Sequence, residues 1–396
     1  MAPYVTEPSR RIPVVGDFDV VVVGAGIAGV AAAVAAVRAG ASVALIEKTC
    51  SPGGLATLAN VVYYLPLCDG RGNQVIGGLG EELLKLSVAD GAGEIPPCWR
   101  PGGDPAERAE TRYRVRFNPA SYLLALERLL VEEGVRIFYD TLFCDVEMSG
   151  SRIDAVIVEN KSGRSALRTK TVVDASGDAD VCARVGEETV SLTTNGAAAW
   201  FFYEEGGKMR LCGCHVPFDV EGGPPPNGER GYAGDDARDV TDHVLESRAL
   251  VREKLRELGE EPGRAVQPLL IPTIPSFRMT RRLKGEVELE TGHAGRSFPD
   301  AIGLTGDWKE AGPVYQIPLR ALVATRTDNL VTAGRCISSA GAWDVTRVIP
   351  PCAVTGQAAG LACAMATRRE GPRIRDLDVG RLQEGLREQD VLLEPE

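Results

Sequence analysis

Three features of the sequence predict its fold class: a strand, glycine turn, helix, strand and acid over residues 18–47; four strand-like runs over 135–173; and a change of texture over 186–325. Together they predict an α/β protein with a Rossmann-like dinucleotide-binding domain, made of a parallel sheet plus a β-meander, and an inserted α+β lobe.

The first feature carries the most chemistry. Residues 19–23 are a β-branched run suited to a buried parallel strand, and Gly24, Gly26 and Gly29 follow in the G-x-G-x-x-G arrangement. The first glycine permits the tight turn, the second lets backbone approach a pyrophosphate, and the third allows the helix to pack on the strand. Ile27 and Ala28 complete that turn, and the alanine-rich run 30–37 aims its helix N-terminus, with free N–H groups, at the phosphates. A second strand over 42–46 closes on Glu47, 23 positions beyond Gly24, against an expected spacing of about 20. An acid there accepts hydrogen bonds from ribose hydroxyls and repels a 2′-phosphate, which favours FAD or NAD over NADP. Lys48 follows directly, and Gly53, Gly54 and Thr57 supply a second glycine turn where backbone can approach the same ligand.

The rest of the chain follows in order. Residues 1–16 are proline-punctuated and expected on the surface, and a helix is expected after Gly77 through residue 88. Residues 94–112, rich in proline, glycine and charge, read as an exposed loop, and Asn118-Pro119 opens a helix over 121–132. The strands at 135–139, 142–148, 153–159 and 167–173 then form the meander, ending in the small-residue turn Ala175-Ser176-Gly177. Over 186–325 come an aromatic strand at 200–203, a Pro/Gly-rich connection at 216–236, an amphipathic helix at 240–258 and strand alternation at 281–290. A short strand at 329–332 leads to Gly334-Arg335, and prolines precede a small-residue helix that begins near Thr355-Gly356. A closing amphipathic helix is expected over 376–393. The expected division is a first part of the nucleotide domain at 17–185, a substrate or cap domain at 186–325, and the returning nucleotide domain at 326–396.

Composition bounds the function. A chain of 396 residues with 44% apolar content can bury a large core. Its net charge of −11 argues against a nucleic-acid or anionic-membrane partner. Ten cysteines are scattered without a C-x-x-C pair, as expected of reduced thiols in a cytoplasmic protein. No secretory signal and no apolar run of membrane-spanning length stand out. A small-molecule substrate is the expected partner, and a homo-oligomer is left open.

The segments DVVVVGAGIAGVAAAVAAVRAGASVALIEK, SPGGLAT, TVVDASGDADVCARVG, RMTRRLKGEVELE, NLVTAGRCIS and RVIPPCAVTGQAAGLACA, in this order, resemble the FAD-dependent oxidoreductases of the glutathione-reductase structural class. The resemblance covers most of the chain and is weakest over about 195–275. It implies FAD as the cofactor, with Gly24, Gly26 and Gly29 on the pyrophosphate and Glu47 on the adenosine ribose. It implies Gly53, Gly54 and Thr57 along the pyrophosphate or flavin, the backbone near Phe143 at the adenine, and Ala175, Ser176 and Gly177 in place of the family's Ala-Thr-Gly turn. Gly334 and Arg335 match its second flavin contact, and a helix starting near Thr355 and Gly356 would aim unpaired N–H groups at the flavin pyrimidine.

The reaction expected is hydride transfer between a small organic substrate and flavin N5; the alternatives are a thiazole-synthase-like enzyme that consumes a dinucleotide and a nucleotide sensor without turnover. Arg278, Arg281, Arg282 and Arg347 are candidates to fix a substrate carboxylate or polarise a carbonyl, with Arg282 and Arg347 preferred; strand alternation puts Arg281 and Arg282 on opposite faces. The alternative role is salt bridging between lobes. His293 and Tyr315 are candidate general bases. Cys212-Gly213-Cys214-His215 offers too few ligands for a structural zinc site, so no metal is expected. Cys336 and Cys352, beside the proposed flavin contacts, are expected to pack as small residues.

Overall fold

The computed structural model describes residues 5–395 except 92, 218, 220, 221 and 261–264. Parts of the expected N-terminal stretch (1–4) and of the Pro/Gly-rich connection (218, 220, 221) therefore lie outside the described residues.

In chain order, β1 (Val14–Val23), α1 (Ile27–Arg38) and β2 (Val43–Ile46) form the opening unit. The short α2 (Leu55–Leu58), β3 (Tyr63–Tyr64), α3 (Gly78–Ser87) and β4 (Val115–Arg116) lead to α4 (Pro119–Glu132). The Asn118 side chain caps α4 by accepting from Ala120 and Ser121 N–H at 2.9 and 3.2 Å, with Pro119 in the first turn where its missing N–H costs nothing. Then come β5 (Arg136–Phe138), the meander β6 (Leu142–Ser149), β7 (Arg152–Asn160) and β8 (Gly163–Asp174), α5 (Asp180–Val185) and β9 (Thr189–Ser191). The middle of the chain adds β10 (Ala198–Glu205), β11 (Lys208–His215), α6 (Ala237–Gly259), β12 (Val266–Leu270), β13 (Arg281–Leu283), β14 (Ala301–Gly306) and β15 (Val314–Pro318). It closes with β16 (Leu330–Thr332), α7 (Trp343–Thr346), α8 (Ile349–Ala366) and α9 (Val379–Arg387).

The main sheet has the order β5-β2-β1-β8-β7-β6, with β16 also paired to β8. β8 serves two partners on one side: its first half runs antiparallel to β7, and its last residues run parallel to β16. Alternation along β1 divides the core. Val20 and Val22 face the helices α1 and α8, while Val21 and Val23 face the meander and α5. β1 starts earlier than residue 19 because 14–18 pair with 166–169, the arm of β8 that reaches out to the meander.

α8 is 18 residues long and apolar enough to span a bilayer by composition, contrary to the expectation of no such run; its apolarity is accounted for by 83% burial inside the fold. It crosses α1 so closely that a Cβ at Gly356 or Gly360 would lie 2.2 Å from Ala28 O or 2.1 Å from Ala32 O. Glycine is required there by packing.

Several expectations shift. Residues 94–112 are not simply an exposed loop: Trp99 is buried and stacks on Tyr113 at 5.0 Å. Strand geometry in 281–290 stops at Leu283, where Lys284 and Gly285 break the alternation. α8 begins at Ile349, not near Thr355, because Pro350 and Pro351 fit its first turn. The last helix ends at Arg387.

Candidate functional site

Every parallel strand of the main sheet ends at the same edge, and the residues with unusual backbone or charge gather there: Gly24 after β1, Glu47 after β2, Ala175 after β8 and Gly334 just beyond β16. In an open α/β sheet this carboxyl edge is where ligands bind.

At the α1 end the site is made of backbone. Gly24 has φ +98, and a Cβ on it would sit 2.5 Å from Ala175 O. A Cβ on Gly29 would meet Gly24 O at 1.8 Å. Gly26 is different: its φ of −61 suits any residue and a Cβ there would touch nothing within 4 Å. The fold does not require that glycine, so the open space beside it is a cradle for something that approaches the backbone. The first hydrogen bond of α1, Val30 N–H to Gly26 O at 2.9 Å, leaves the N–H groups of Ile27, Ala28 and Gly29 without an intrahelical acceptor. These donors and the helix dipole suit an anion such as a pyrophosphate.

The second glycine turn is built onto the first. Gly53 N–H donates to Ala25 O at 2.7 Å, and Gly53 and Gly54 have φ of +100 and +54. Thr57 donates its hydroxyl to Pro52 O at 2.6 Å, fixing the turn from within. Glu47, only 7% exposed, accepts from Ala25 N–H through Oε2 and from Thr49 N–H and hydroxyl through Oε1, each at 2.8 Å. A carboxylate has about four acceptor positions, so Glu47 keeps room for one further donor, as a ribose hydroxyl would be. Thr141 N–H reaches Glu47 O at 3.0 Å, which brings the start of β6, with Phe143, beside this end. Lys48 is exposed and close enough to Asp180 to favour its ionised form.

The turn after β8 is held by a buried acid. Asp174 accepts from the Ser176 hydroxyl at 2.6 Å, Ser176 N–H at 3.2 Å and Cys182 N–H at 3.0 Å, while burial pushes its carboxyl upward. Ala175 N–H continues the ladder to Val23 O, and Gly177 takes φ +81. Asp178 and Asp180 crowd the same turn, and Asp180 is pushed up to about 6 by burial and by the charges of Asp178 and Asp174.

At the far end long side chains converge. Arg335 donates through Nε to Gly177 O at 2.6 Å, through Nη1 to Phe277 O at 2.7 Å, and through Nη2 to Asp178 at 2.7 Å. Gly334, with φ +81, packs against Ala28, and its N–H donates to the Thr355 hydroxyl at 3.0 Å. Thr355 thus sits in the second turn of α8 and positions Gly334. The expected row of free N–H groups at Thr355 and Gly356 is corrected as well: the true first turn contains Pro350 and Pro351, which have no N–H. α8 contributes its dipole there with few donors.

The candidate catalytic residues separate. Arg281 faces the turn after β8, with Nε on Asp178 O and Nη2 on Asp180, both at 2.9 Å. Alternation sends Arg282 the other way, where its buried side chain pairs with the half-buried Glu288 as a salt bridge. His293 and Tyr315 do come together, around one turn at 291–293, but both are engaged there. His293 Nδ1 accepts from Glu290 N–H at 3.2 Å, and the Tyr315 hydroxyl donates to Thr291 O at 3.5 Å with its phenol pushed up by burial. Neither is set up as a base. Arg347, just before α8, pairs with Asp344 at 2.5 Å and lies over the Trp343 ring at 5.1 Å. Sequence reasoning missed Asp344, although its i,i+3 spacing to Arg347 was a readable signal. Cys212 and Cys214 pack toward Val251, Leu255 and Leu258 of α6, and Cys336 is buried among the sheet residues.

Comparison with known proteins adds the following. The family model described as FAD dependent oxidoreductase matches residues 19–198 and 208–386. A thioredoxin reductase of Ureaplasma parvum serovar 3 is 39% identical over 72 residues, which is 18% of this chain and 23% of that protein. Among solved structures, a geranylgeranyl bacteriochlorophyll reductase-like protein from Thermoplasma acidophilum is similar over 95% of this chain and 84% of its own, at 12% identity and a TM-score of 0.46. A p-nitrophenol 4-monooxygenase from Pseudomonas putida is similar over 93% and 84%, at 13% identity and a TM-score of 0.46.

Proposed function

The chain belongs to the FAD dependent oxidoreductase family, and from that premise we propose that it transfers a hydride between a small organic substrate and N5 of bound FAD. In this reading Gly24, Gly26 and Gly29 with the N–H groups of Ile27 and Ala28 hold the pyrophosphate, and Glu47, with Lys48 at the rim, holds the adenosine ribose. Gly53, Gly54 and Thr57 shape the second wall, the backbone at Phe143 meets the adenine, and Ala175, Ser176, Gly177, Gly334 and Arg335 line the path to the flavin. Residues 186–325 cover the substrate.

The observation that carries the cofactor assignment is Gly26, a glycine that neither strain nor crowding explains, set at the unpaired N–H groups of a helix and one turn from the Glu47 carboxylate. The remaining residues have plainer roles. Arg347 is held between its pair with Asp344 and the Trp343 ring, so its donor fork is placed before a substrate arrives. The clamp of Arg335 on Gly177, Asp178 and Phe277 fixes the wall beside it.

The test has two steps. Ligand released from purified protein is identified by mass, where FAD supports the reading and an NAD-derived adduct replaces it. The FAD form is then mixed anaerobically with candidate substrates and their C-deuterated forms. Loss of visible flavin absorbance that slows on deuteration is the expected result, and flavin reduced by a substrate without an isotope effect would count against hydride transfer.

A further inference from the structure

We propose that the turn at 291–296 is an anion site separate from the pyrophosphate cradle, where His293 and Arg296 together take one oxyanion group, phosphate or carboxylate, of a small ligand. Proton positions carry the case. Glu290 N–H donates to His293 Nδ1 at 3.2 Å in the capped turn at 291–293, so that nitrogen bears no hydrogen. A neutral imidazole has one N–H, and it must then sit on Nε2. Yet Nε2 lies 3.2 Å from Nη1 of Arg296, and a guanidinium offers donors only. Two N–H groups thus face each other with no acceptor between them. Protonating the ring sets a second pair of donors together at Glu290 N–H, and turning it over puts C–H groups against both donors. An acceptor shared by Nε2–H and Nη1–H removes the conflict.

The two side chains are aligned by one buried ring. Phe298 meets the His293 ring edge-on at 5.5 Å and carries the Arg296 guanidinium over its face at 5.2 Å. Backbone bonds hold the turn beneath them: Arg296 N–H donates to His293 O at 3.0 Å, and Gly295 N–H to Val314 O at 2.8 Å, with Gly295 at φ +73. The donors are therefore placed before a ligand arrives.

Charge decides what the acceptor is. Arg296 makes no ion pair among the described residues, whereas Arg38 meets both Glu82 and Glu133, and Arg320 forks onto Asp300 at 2.9 and 3.0 Å. The neighbouring acid, Glu290, is occupied: its carboxylate accepts from His293 N–H and, at 2.8 Å, from Gly341 N–H. A water also accepts from both donors, but a guanidinium keeps its charge in a protein, and an oxyanion answers the charge and the donors at once. Arg296 is exposed, so the rest of the ligand stays in solvent. None of the cofactor cradle residues takes part, and the site stands whether or not FAD is the cofactor.

The test reads the ring nitrogens directly. The chain has three histidines, so nitrogen NMR of the purified full chain, with His293→Gln to identify one ring, resolves the tautomer at pH about 8, where an ordinary imidazole is neutral. His293 is expected to carry its proton on Nε2. Sodium phosphate and sodium acetate are then titrated separately, with ionic strength held constant by chloride. Saturable movement of the His293 signals is expected, without a matching movement at the exposed His215. A response to phosphate alone assigns the site to a phosphate group, and a response to acetate extends it to carboxylates. Arg296→Gln should weaken the response by about tenfold, and Arg296→Lys, which keeps the charge, should recover part of it. A proton on Nδ1, no saturable response to either anion, or a response unchanged in Arg296→Gln would overturn the proposal. Any of these outcomes leaves the cofactor assignment untouched, which is tested by the released ligand.

Discussion

At the α1 end of the sheet edge, Gly24, Gly26, Gly29 and Gly53 meet through backbone atoms within one stretch of chain, and Glu47 joins them through its carboxylate on Ala25 N–H. At the α8 end, Arg335 reaches back to Gly177 and Asp178 and across to Phe277, while Arg281 reaches to Asp180, so contacts span from 58 to 158 positions. The first end is rigid because Gly24, Gly29 and Gly53 leave no room for a side chain, while Gly26 keeps open space beside it. The second is rigid only while its charges answer each other. Binding the constant part of a cofactor needs the first kind of construction, and choosing a substrate can use the second.

The largest effect should come from breaking the backbone end. Gly29→Ala puts a Cβ 1.8 Å from Gly24 O, so urea unfolding of cofactor-free protein should show a loss of about 4 kcal/mol or more. Gly26→Ala, with nothing within 4 Å of the new Cβ, should leave cofactor-free stability within about 0.5 kcal/mol. The same change should raise the Kd for FAD by about 100-fold, near 2.7 kcal/mol. If Gly26→Ala binds FAD normally, the cradle is not where the pyrophosphate lies.

Next in size is the charge-built end. Arg335→Ala leaves Asp178 without its closest guanidinium and strips Gly177 O and Phe277 O of a donor; the expected cost is about 3 kcal/mol, read from urea midpoints. Recovery by Arg335→Lys should be incomplete, since one ammonium cannot span three acceptors in a fixed plane. A smaller loss of about 2 kcal/mol is expected for Glu47→Gln, which turns an amide toward Ala25 or Thr49 where each carboxylate oxygen had accepted. Its FAD affinity should fall by about tenfold. A larger loss for Glu47→Gln than for Arg335→Ala would invert the comparison.

This difference also governs what could be read from the chain alone. The α/β class, the meander and a dinucleotide site are legible because β-branched runs, hairpin turns and the glycine spacing are local signals, while the choice of FAD rests on the family resemblance of the later segments. Gly356 was read as a ligand contact, but its nearest constraint is Ala28 O on α1; helix-to-helix crossing leaves the same small-residue mark as a ligand. Arg282 was preferred over its neighbour, and only the pairing of β13 with β9 fixes which of the two faces the turn after β8. The start of α8 is harder to read, since prolines fit both the residues before a helix and its first turn, where Pro350 and Pro351 lie. The sharing of Asp344 between Lys309 and Arg347 has no sequence signature beyond its i,i+3 pair, since Lys309 comes from a distant segment.

The smallest effect tests the turn where the two ends meet, since Asp180 lies near Lys48 from one and bonds Arg281 from the other. Its carboxyl is pushed up to about 6 from an ordinary value of 3.8 by burial, Asp178 and Asp174. A carboxyl raised in the folded state binds its proton more tightly folded than unfolded, so its ionisation subtracts stability. That loss is complete above the folded value of about 6 and absent below the ordinary 3.8. Asp180→Asn, neutral at every pH and still able to accept from Arg281, should therefore be more stable than the parent at pH about 8. With the side chain 42% exposed, solvent screening holds the gain below about 1 kcal/mol. The gain should shrink as pH falls through 6 and disappear near pH 4, measured as the difference in urea midpoints. A variant less stable than the parent at pH about 8 would mean that the Arg281 pair at 2.9 Å outweighs the crowding of three acids, and the turn would then belong with the charge-built end of the site.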